Sequence, residues 1–437
     1  MTEELEIGFK AQVVGEYDTV VCGGGPAGFV AAIASARCGA KTALIEQYGF
    51  AGGMATTGFV TPLSVFTYNN SKVIGGIPWE FIERLQEMGG ALIEKPLGNV
   101  AFEPEMYKLC CQRMLLEAGV ELYMHSCLCG CTKTSDGHVD CALIQNKNGM
   151  EALRGKVFID CTGDGDLAYF AGAQMLPDEG RPLQPLSTYF ILGGVDTGTP
   201  RMQEAIHHNR QGVNCQCESI REALLKIREK EDIPEFGGPW FCTTLQPGVV
   251  TVNMTRTAAD ACDNRDYSRA ECILREQCFK MAQVLRDNFE EFKNCYIQAV
   301  APTAGIRETR RVKGLHIMTG EEYVNAYRYE DSVSRGAHPI DIHVASGPAQ
   351  SVTFLKRPAY VPYRSLVAEA FDNLLVAGRC ISADKTAFAS MRVQASCMGT
   401  GQAAGVAAAR CAKIGCDTRK ADVEGLVQLL REMGAII

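Results

Sequence analysis

The sequence predicts an α/β protein: a three-layer domain built on parallel strands, interrupted by an inserted α+β unit. Three observations predict it. Residues 17–46 read as strand, glycine turn, alanine-rich helix and strand. Residues 373–410 read as a further strand followed by a helix of small residues. Between them, residues 185–300 carry alternating apolar strands and two long helical stretches. A chain of 437 residues, 46% hydrophobic and 22% charged, has the balance of an ordinary globular protein of two or three domains.

The first element, "YDTVVCGGG", is a short apolar run of the kind that forms a buried parallel strand. Gly23, Gly25 and Gly28 follow in GxGxxG spacing, with Pro26 and Ala27 between the last two. "FVAAIASARCG" is helical and reaches a plausible cap at Gly39. "TALIEQ" is a second strand ending in Glu46, 18 residues after Gly28. Strand, glycine turn, helix, strand and acid together form the Rossmann dinucleotide-binding pattern. Gly23 allows the tight turn, Gly25 admits a pyrophosphate to the backbone, and Gly28 lets helix and strand pack closely. The helix N-terminus offers N–H groups to phosphate, and Glu46 can accept from a ribose hydroxyl.

The next loop, "QYGFAGGMATTG", puts Gln47 beside that acid and a second glycine pair, Gly52 and Gly53, just before Met54. Here the chain resembles FAD-dependent oxidoreductases with a p-hydroxybenzoate hydroxylase-like, glutathione reductase-related FAD domain. The resemblance implies FAD as cofactor. It also covers "VELYMHSCLCGC" and the hairpin around "NKNG", which lead to "DCTGDGD". By similarity, the backbone near Leu128 touches adenine, and Thr162, Gly163 and Asp164 turn beside the FAD. "LLVAGR" delivers Gly378 and Arg379, and "SMRVQASCMGTGQAAGVAAAR" reads as one helix. The resemblance places the backbone of Arg392 and Val393 at the pyrimidine ring, where a helix N-terminus steadies negative charge. It spans roughly residues 16–68, 100–180 and 300–410, including "IRETRRVKGLHIMTGEE" and "HPIDIH". It is specific for the family and silent on the substrate.

The domain reading follows. Residues 1–68, 100–184 and 300–437 form a discontinuous FAD-binding domain, residues 69–99 a small helical insert, and residues 185–299 a substrate cap. In the cap, Val250, Val252 and Met254 alternate with Thr251, Asn253 and Thr255, which predicts a half-buried strand.

Charge and cysteines narrow the function. A net charge of −8 disfavours nucleic acid and anionic membrane as partners. The N-terminus has no signal-peptide pattern and no apolar run spans a bilayer, so a cytoplasmic location is expected. The 20 cysteines include no CxxC pair, so no metal site is assigned. Cys127, Cys129 and Cys131 would share one face of a strand, either as three buried thiols or as a sulfur ligand set. The loop after Glu46 has no cysteine, which argues against thiol–disulfide chemistry at the flavin. No second dinucleotide pattern provides a dedicated nicotinamide domain.

Two groups are catalytic candidates. Asp341 and His343 lie two apart and point the same way on an extended segment, so His343 can act as base with Asp341 orienting it. A core histidine satisfied by its neighbour fits equally. Arg307 and Arg310 would share a helical face, where a guanidinium fork can hold an acidic substrate or steady reduced flavin. Structural ion pairs fit them as well. Tyr363 and Arg364 also come near the last strand.

The leading expectation is an FAD-dependent dehydrogenase or oxidase that moves a hydride from a C–OH or C–N bond of a small polar molecule to flavin N5. A second is a reductase of an activated double bond or carbonyl, fed by NAD(P)H or a protein electron carrier. A third is a non-catalytic FAD electron-transfer subunit. A homo-oligomer is the default assembly.

Overall fold

The structure, a computed structural model, describes residues 8–94, 98–178, 180–207, 217–344 and 349–437. Its largest sheet has seven strands. Glu121–Tyr123, Thr42–Ile45, Gln12–Cys22 and Gly149–Asp160 lie side by side and parallel. The end of Gly149–Asp160 also pairs in parallel with Leu374–Val376, Phe158 opposite Leu374. Its start pairs antiparallel with Val139–Asn146, which pairs in turn with Cys127–Lys133. One strand thus joins a parallel nucleotide-type sheet to an antiparallel return.

The buried faces explain the apolar runs. Val20, Val21 and Cys22 are fully buried, and they alternate between the two sides of the sheet. One side carries the helices Pro26–Arg37 and Gln394–Ile414. The other is covered by the short helix Asp166–Ala171 and the residues around Phe371. This is the three-layer α/β arrangement that the sequence predicts.

The C-terminal stretch differs in detail. It is two helices, Lys385–Met391 and Gln394–Ile414, not one. Val393 is extended (φ −70°, ψ 149°) and caps the second helix. Gly401 and Gly405, one turn apart, press on the first helix. A Cβ at Gly401 would lie 2.1 Å from the Ala27 carbonyl oxygen, and one at Gly405 would lie 2.2 Å from that of Ala31. The two small-residue ends of the chain therefore meet across a helix–helix contact, the late glycines on the early alanines.

Residues 69–94 and 98–102 hold more than a helix. Ile77–Glu87 is followed by the paired strands Ala91–Glu94 and Asn99–Phe102. The helix shares the main core, with the Phe81 and Phe29 rings 5.0 Å apart.

The inserted segment builds a separate antiparallel sheet in the order Phe236–Thr243, Val250–Thr255, Phe190–Gly193, Tyr296–Val300. The helix Asn264–Asn288 backs it. Asp263 caps that helix by accepting from the N–H groups of Arg265 and Asp266. Val250–Thr255 is more buried than alternation predicts, with only Asn253 partly exposed. On its second face Asn253 reaches the large cavity described below, while Thr251 and Thr255 are buried.

Two local expectations are corrected. The stretch around Arg307 and Arg310 is not helical, so the two side chains diverge. A bulge between Leu128 and Gly130 breaks the strand alternation at Cys127–Cys129–Cys131, leaving Cys129 exposed while Cys131 packs toward the core. Among the described residues, no group of three metal-ligating side chains forms, and no helix is long and apolar enough to cross a membrane.

Candidate functional site

One cavity of about 880 Å³ runs along the C-terminal ends of the parallel strands and under the inserted sheet. This volume lies in the upper part of the roughly 300–1,000 Å³ range of small-molecule pockets. Its position at the strand ends is where open α/β sheets bind ligands.

The glycine loop forms one wall. Gly25 caps Pro26–Arg37 without any side-chain cap, and no acid lies in the first turn, so the helix N-terminus is open to an anion. Gly23, Gly25, Pro26 and Ala27 line the cavity. Gly28 does not. A Cβ there would be 1.7 Å from the Gly23 carbonyl oxygen, so its role is to allow the turn itself. Gly52 also lies behind the wall. Its N–H donates to the Gly24 carbonyl at 2.8 Å, which brings Gly53 so close that a Cβ there would be 2.7 Å from the Gly25 Cα. Gly53 and Met54 face the cavity.

Glu46, just past its strand, is buried. It accepts the Gly24 N–H at 2.7 Å and the Tyr48 N–H at 3.0 Å. Burial pushes its pKa up, and those N–H groups oppose the shift. Gln47 and Leu128 complete this end. The "DCTGDGD" turn is braced by buried Asp160, which accepts from the Thr162 hydroxyl and N–H on one oxygen and from the Ala168 N–H on the other. That leaves Thr162, Gly163 and Asp164 facing the cavity. Arg379 crosses over Gly163 to pair with Asp164 at 2.8 Å, and a Cβ at Gly163 would sit 2.8 Å from its guanidinium. Gly378, Arg379, Arg392 and Val393 line the far half, where the helix Gln394–Ile414 begins.

These residues fit an FAD. The cradle is continuous from an acid for ribose, past glycines that admit pyrophosphate, to a helix N-terminus for the flavin. The turn itself depends on glycine, since a Cβ at Gly23, Gly28 or Gly53 would meet backbone within 3 Å.

Beyond Arg392 the cavity becomes polar. Asp341 and His343 stand together on the strand Ile340–His343, with His343 Nε2 2.9 Å from Asp341 Oδ2. The other nitrogen, Nδ1, is 3.0 Å from an Arg256 guanidinium nitrogen. Guanidinium only donates, so Nδ1 accepts and Nε2–H is donated to the carboxylate. Burial and Arg307 push the His343 pKa down to about 3, with Asp341 opposing. The expected role of His343 as base is corrected on this geometry, because a neutral ring with both nitrogens engaged has no lone pair left for a substrate proton. Asp341 stays ionised: the His343 hydrogen bond and the nearby charges outweigh burial and hold its pKa well below the ordinary range.

His338 is the histidine that sequence reasoning missed, although it stands in the quoted "HPIDIH". Its Nδ1 donates to the Pro339 carbonyl at 2.7 Å, which leaves the Nε2 lone pair without a partner among the described residues. Burial lowers its pKa, with Asp341 opposing. His338 lines the cavity. Gln184, also missed, accepts from the His343 N–H at 3.0 Å and from Arg392 at 3.3 Å.

Of the arginines, Arg307 lines the cavity and Arg310 does not. Arg310 pairs with Asp166 and lies 4.3 Å over the Tyr169 ring. Tyr363 is buried in the core and donates to the Thr418 carbonyl, while Arg364 pairs with Asp331, so neither reaches the cavity. From the inserted sheet, Tyr189, Trp240, Cys242 and Asn253 form the roof.

A family model described as "FAD dependent oxidoreductase" matches residues 18–430. The mitochondrial dihydrolipoyl dehydrogenase of Schizosaccharomyces pombe is 45% identical over 64 residues, 15% of this chain and 12% of that enzyme. The chain thus spans a small part of that relative's length. Among solved structures, the flavin-dependent brominase Bmp2 aligns over 95% of this chain and 83% of its own at 14% identity, with a TM-score of 0.50, a likeness of fold alone. A geranylgeranyl bacteriochlorophyll reductase-like protein from Thermoplasma acidophilum aligns over 96% of this chain and 83% of its own, at 14% identity and a TM-score of 0.47.

Proposed function

The chain belongs to the FAD dependent oxidoreductase family, and from that premise we propose that it oxidises a C–OH or C–N bond of a small polar organic substrate bound at the roofed end of the cavity. It is an oxidoreductase and FAD is its cofactor. Bound FAD supplies the two-electron chemistry, accepting a hydride at its isoalloxazine ring.

The observation that carries the proposal is His338. Its Nδ1–H is fixed on the Pro339 carbonyl, so the neutral ring presents Nε2 as a base in the same cavity as Arg392 and Val393. Burial keeps it neutral near pH 7, and a neutral imidazole takes a hydroxyl or ammonium proton as the C–H bond breaks. Asp341 and His343 act as the frame. Asp341 also accepts from Arg392 through its backbone carbonyl at 3.0 Å, which ties the strand that follows the base to the start of the long helix. The inserted sheet roofs this end, with the Trp240 ring edge-on to His343 at 5.8 Å between centroids.

The test is an anaerobic absorption spectrum of the purified protein, before and after candidate alcohols and amines, with NAD(P)H as a separate addition. Bleaching by an alcohol or amine supports the proposal. Rapid bleaching by NAD(P)H alone, followed by reoxidation with an unsaturated acid or a carbonyl compound, overturns it in favour of a reductase.

A further inference from the structure

We propose that the substrate is an organic acid and that Arg307, with Tyr189, holds its carboxylate. This inference rests on the reading that the roofed end of the cavity takes a small polar substrate.

The first observation is the way Arg307 is held. It is 8% exposed, and both hydrogens of Nη1 are used, on the Pro185 carbonyl at 2.6 Å and the Ser187 hydroxyl at 2.8 Å. Both acceptors are neutral. They fix the guanidinium and leave its Nε–Nη2 edge unengaged among the described residues. That edge presents two parallel N–H donors, the pattern that matches the two oxygens of a carboxylate. Arg307 lines the cavity, so the edge has a ligand space to face.

The second observation is charge. No described carboxylate forms an ion pair with Arg307. The charged side chains that act on it are Arg392, Arg256 and Asp341. Of the charged side chains that act on Arg307, two are guanidinium groups and one is a carboxylate, so the balance around it is positive. Asp341 is already shared between His343 at 2.9 Å and Arg392 at 3.9 Å. Burial, with Arg392 and Arg256, pushes the Arg307 pKa down, which marks its charge as costly with the site as it stands. A bound anion removes that cost.

The third observation is Tyr189, two residues from Ser187 and on the same cavity wall. Its oxygen accepts from the Asn253 amide at 2.8 Å, so its O–H remains to donate. Burial holds the phenol neutral. Tyr189 and Arg307 together offer three donors and no acceptor, which suits an anion and repels an amine.

Binding to the purified flavoprotein is read by flavin difference absorbance and, in parallel, by the thermal midpoint. The probes are propionate, propionamide and inorganic phosphate. Propionate is expected to saturate, with propionamide weaker by about 30-fold or more, as the loss of a charge-assisted pair implies. Arg307→Met is expected to lose the propionate response while keeping its flavin spectrum. Equal affinity for propionate and propionamide overturns the inference, as does tighter binding of phosphate or undiminished propionate binding in Arg307→Met. If the variant does not fold, the comparison of propionate with propionamide in the unaltered protein decides. A protein that binds no FAD defeats the functional reading instead, and the thermal arm still tests Arg307.

Discussion

Asp341 accepts the Nε2–H of His343 at 2.9 Å, and this fixes what His343 can do, because Arg256 occupies the ring's other nitrogen at 3.0 Å. His343 is a neutral link between a cation and an anion. Glutamine can make the same link, its oxygen accepting from Arg256 and its amide donating to Asp341. His343→Gln is therefore expected to cost about 10-fold or less in kcat/KM, well short of the loss of a catalytic base. His338→Asn is expected to cost roughly 10²–10⁴-fold, mostly in kcat, with the flavin spectrum unchanged. Steady-state kinetics on both variants check the assignment. If His343→Gln loses as much as His338→Asn, the base is not His338.

The same histidine makes a prediction about pH and stability. Its folded-state pKa, about 3, lies below the ordinary 6.5. Between these values the unfolded chain takes a proton that the folded protein refuses. Its contribution to stability is complete above pH 6.5 and is lost progressively as pH falls toward 3. By pH 4.5 the loss is on the order of 2 kcal/mol. Asp166 opposes it, since its folded pKa is raised to about 6 by burial and the nearby Asp164 and Asp160, so protonating it favours the fold as pH falls. The difference between the native protein and His343→Gln isolates the histidine. Their gap in unfolding free energy is expected to shift in the variant's favour by this amount between pH 6.5 and 4.5, measured by denaturant titration. A constant gap would mean that His343 is not held neutral.

Catalytic pH dependence follows the other histidine. Burial and Arg392 lower the His338 pKa, while Asp341 and the bond to Pro339 raise it, and the net shift is downward. The base is unprotonated, and active, down to a pH below its ordinary 6.5. The acid limb of kcat/KM is expected below that value and absent from His338→Asn. An acid limb centred above pH 6.5 would contradict a buried neutral base.

How much of this was legible in the sequence depends on the distance over which each feature is set. The glycine turn and Glu46 were readable because their chemistry is local: a turn, a helix start and an acid within one βαβ unit. Gly28 packs on the Gly23 backbone, as its place in the motif implies, whereas Gly52, which spacing groups with Gly53, stands one layer behind the cavity wall. His338 and His343 look alike in "HPIDIH". Their roles separate only through Arg256, just past the strand Val250–Thr255 of the inserted sheet and 87 residues away. Arg310 departs from expectation because "IRETRR" has good helix formers, yet the segment takes no regular secondary structure. The alternation in Val250–Thr255 implies one wet face, but Thr251 and Thr255 are buried and only Asn253 reaches the cavity.

Arg310 gives the contrasting prediction. It pairs with Asp166 and stacks on exposed Tyr169, away from Arg307. Arg310→Ala is expected to leave kcat/KM within about 3-fold of the native value, and to lower stability by about 1 kcal/mol or less, as befits a partly exposed pair. A large loss of turnover would return Arg310 to the site.

The last prediction concerns the two glycine-rich ends of the chain. In an ordinary exposed helix interior, changing glycine to alanine stabilises by roughly 0.5–1 kcal/mol. At Gly405 the new methyl would lie 2.2 Å from the Ala31 carbonyl oxygen, and at Gly401 it would lie 2.1 Å from that of Ala27. Both obstacles are backbone, so no rotamer change relieves them, and overpacking of this kind costs about 1–3 kcal/mol. Steric cost should therefore outweigh the gain in helix propensity, and both variants should be less stable than the native protein. They should also differ from each other. Ala27 lines the cavity at the open end of its helix, whereas Ala31 lies a turn further in. Gly401→Ala is expected to lower the flavin-to-protein absorbance ratio as well as the thermal midpoint, and Gly405→Ala mainly the midpoint. Gly198→Ala, which meets only the Asp196 side chain, serves as the control. If Gly401→Ala and Gly405→Ala both raise the midpoint as plain helix propensity predicts, the close contact between the first and last glycine stretches is not what holds the cradle's wall in place.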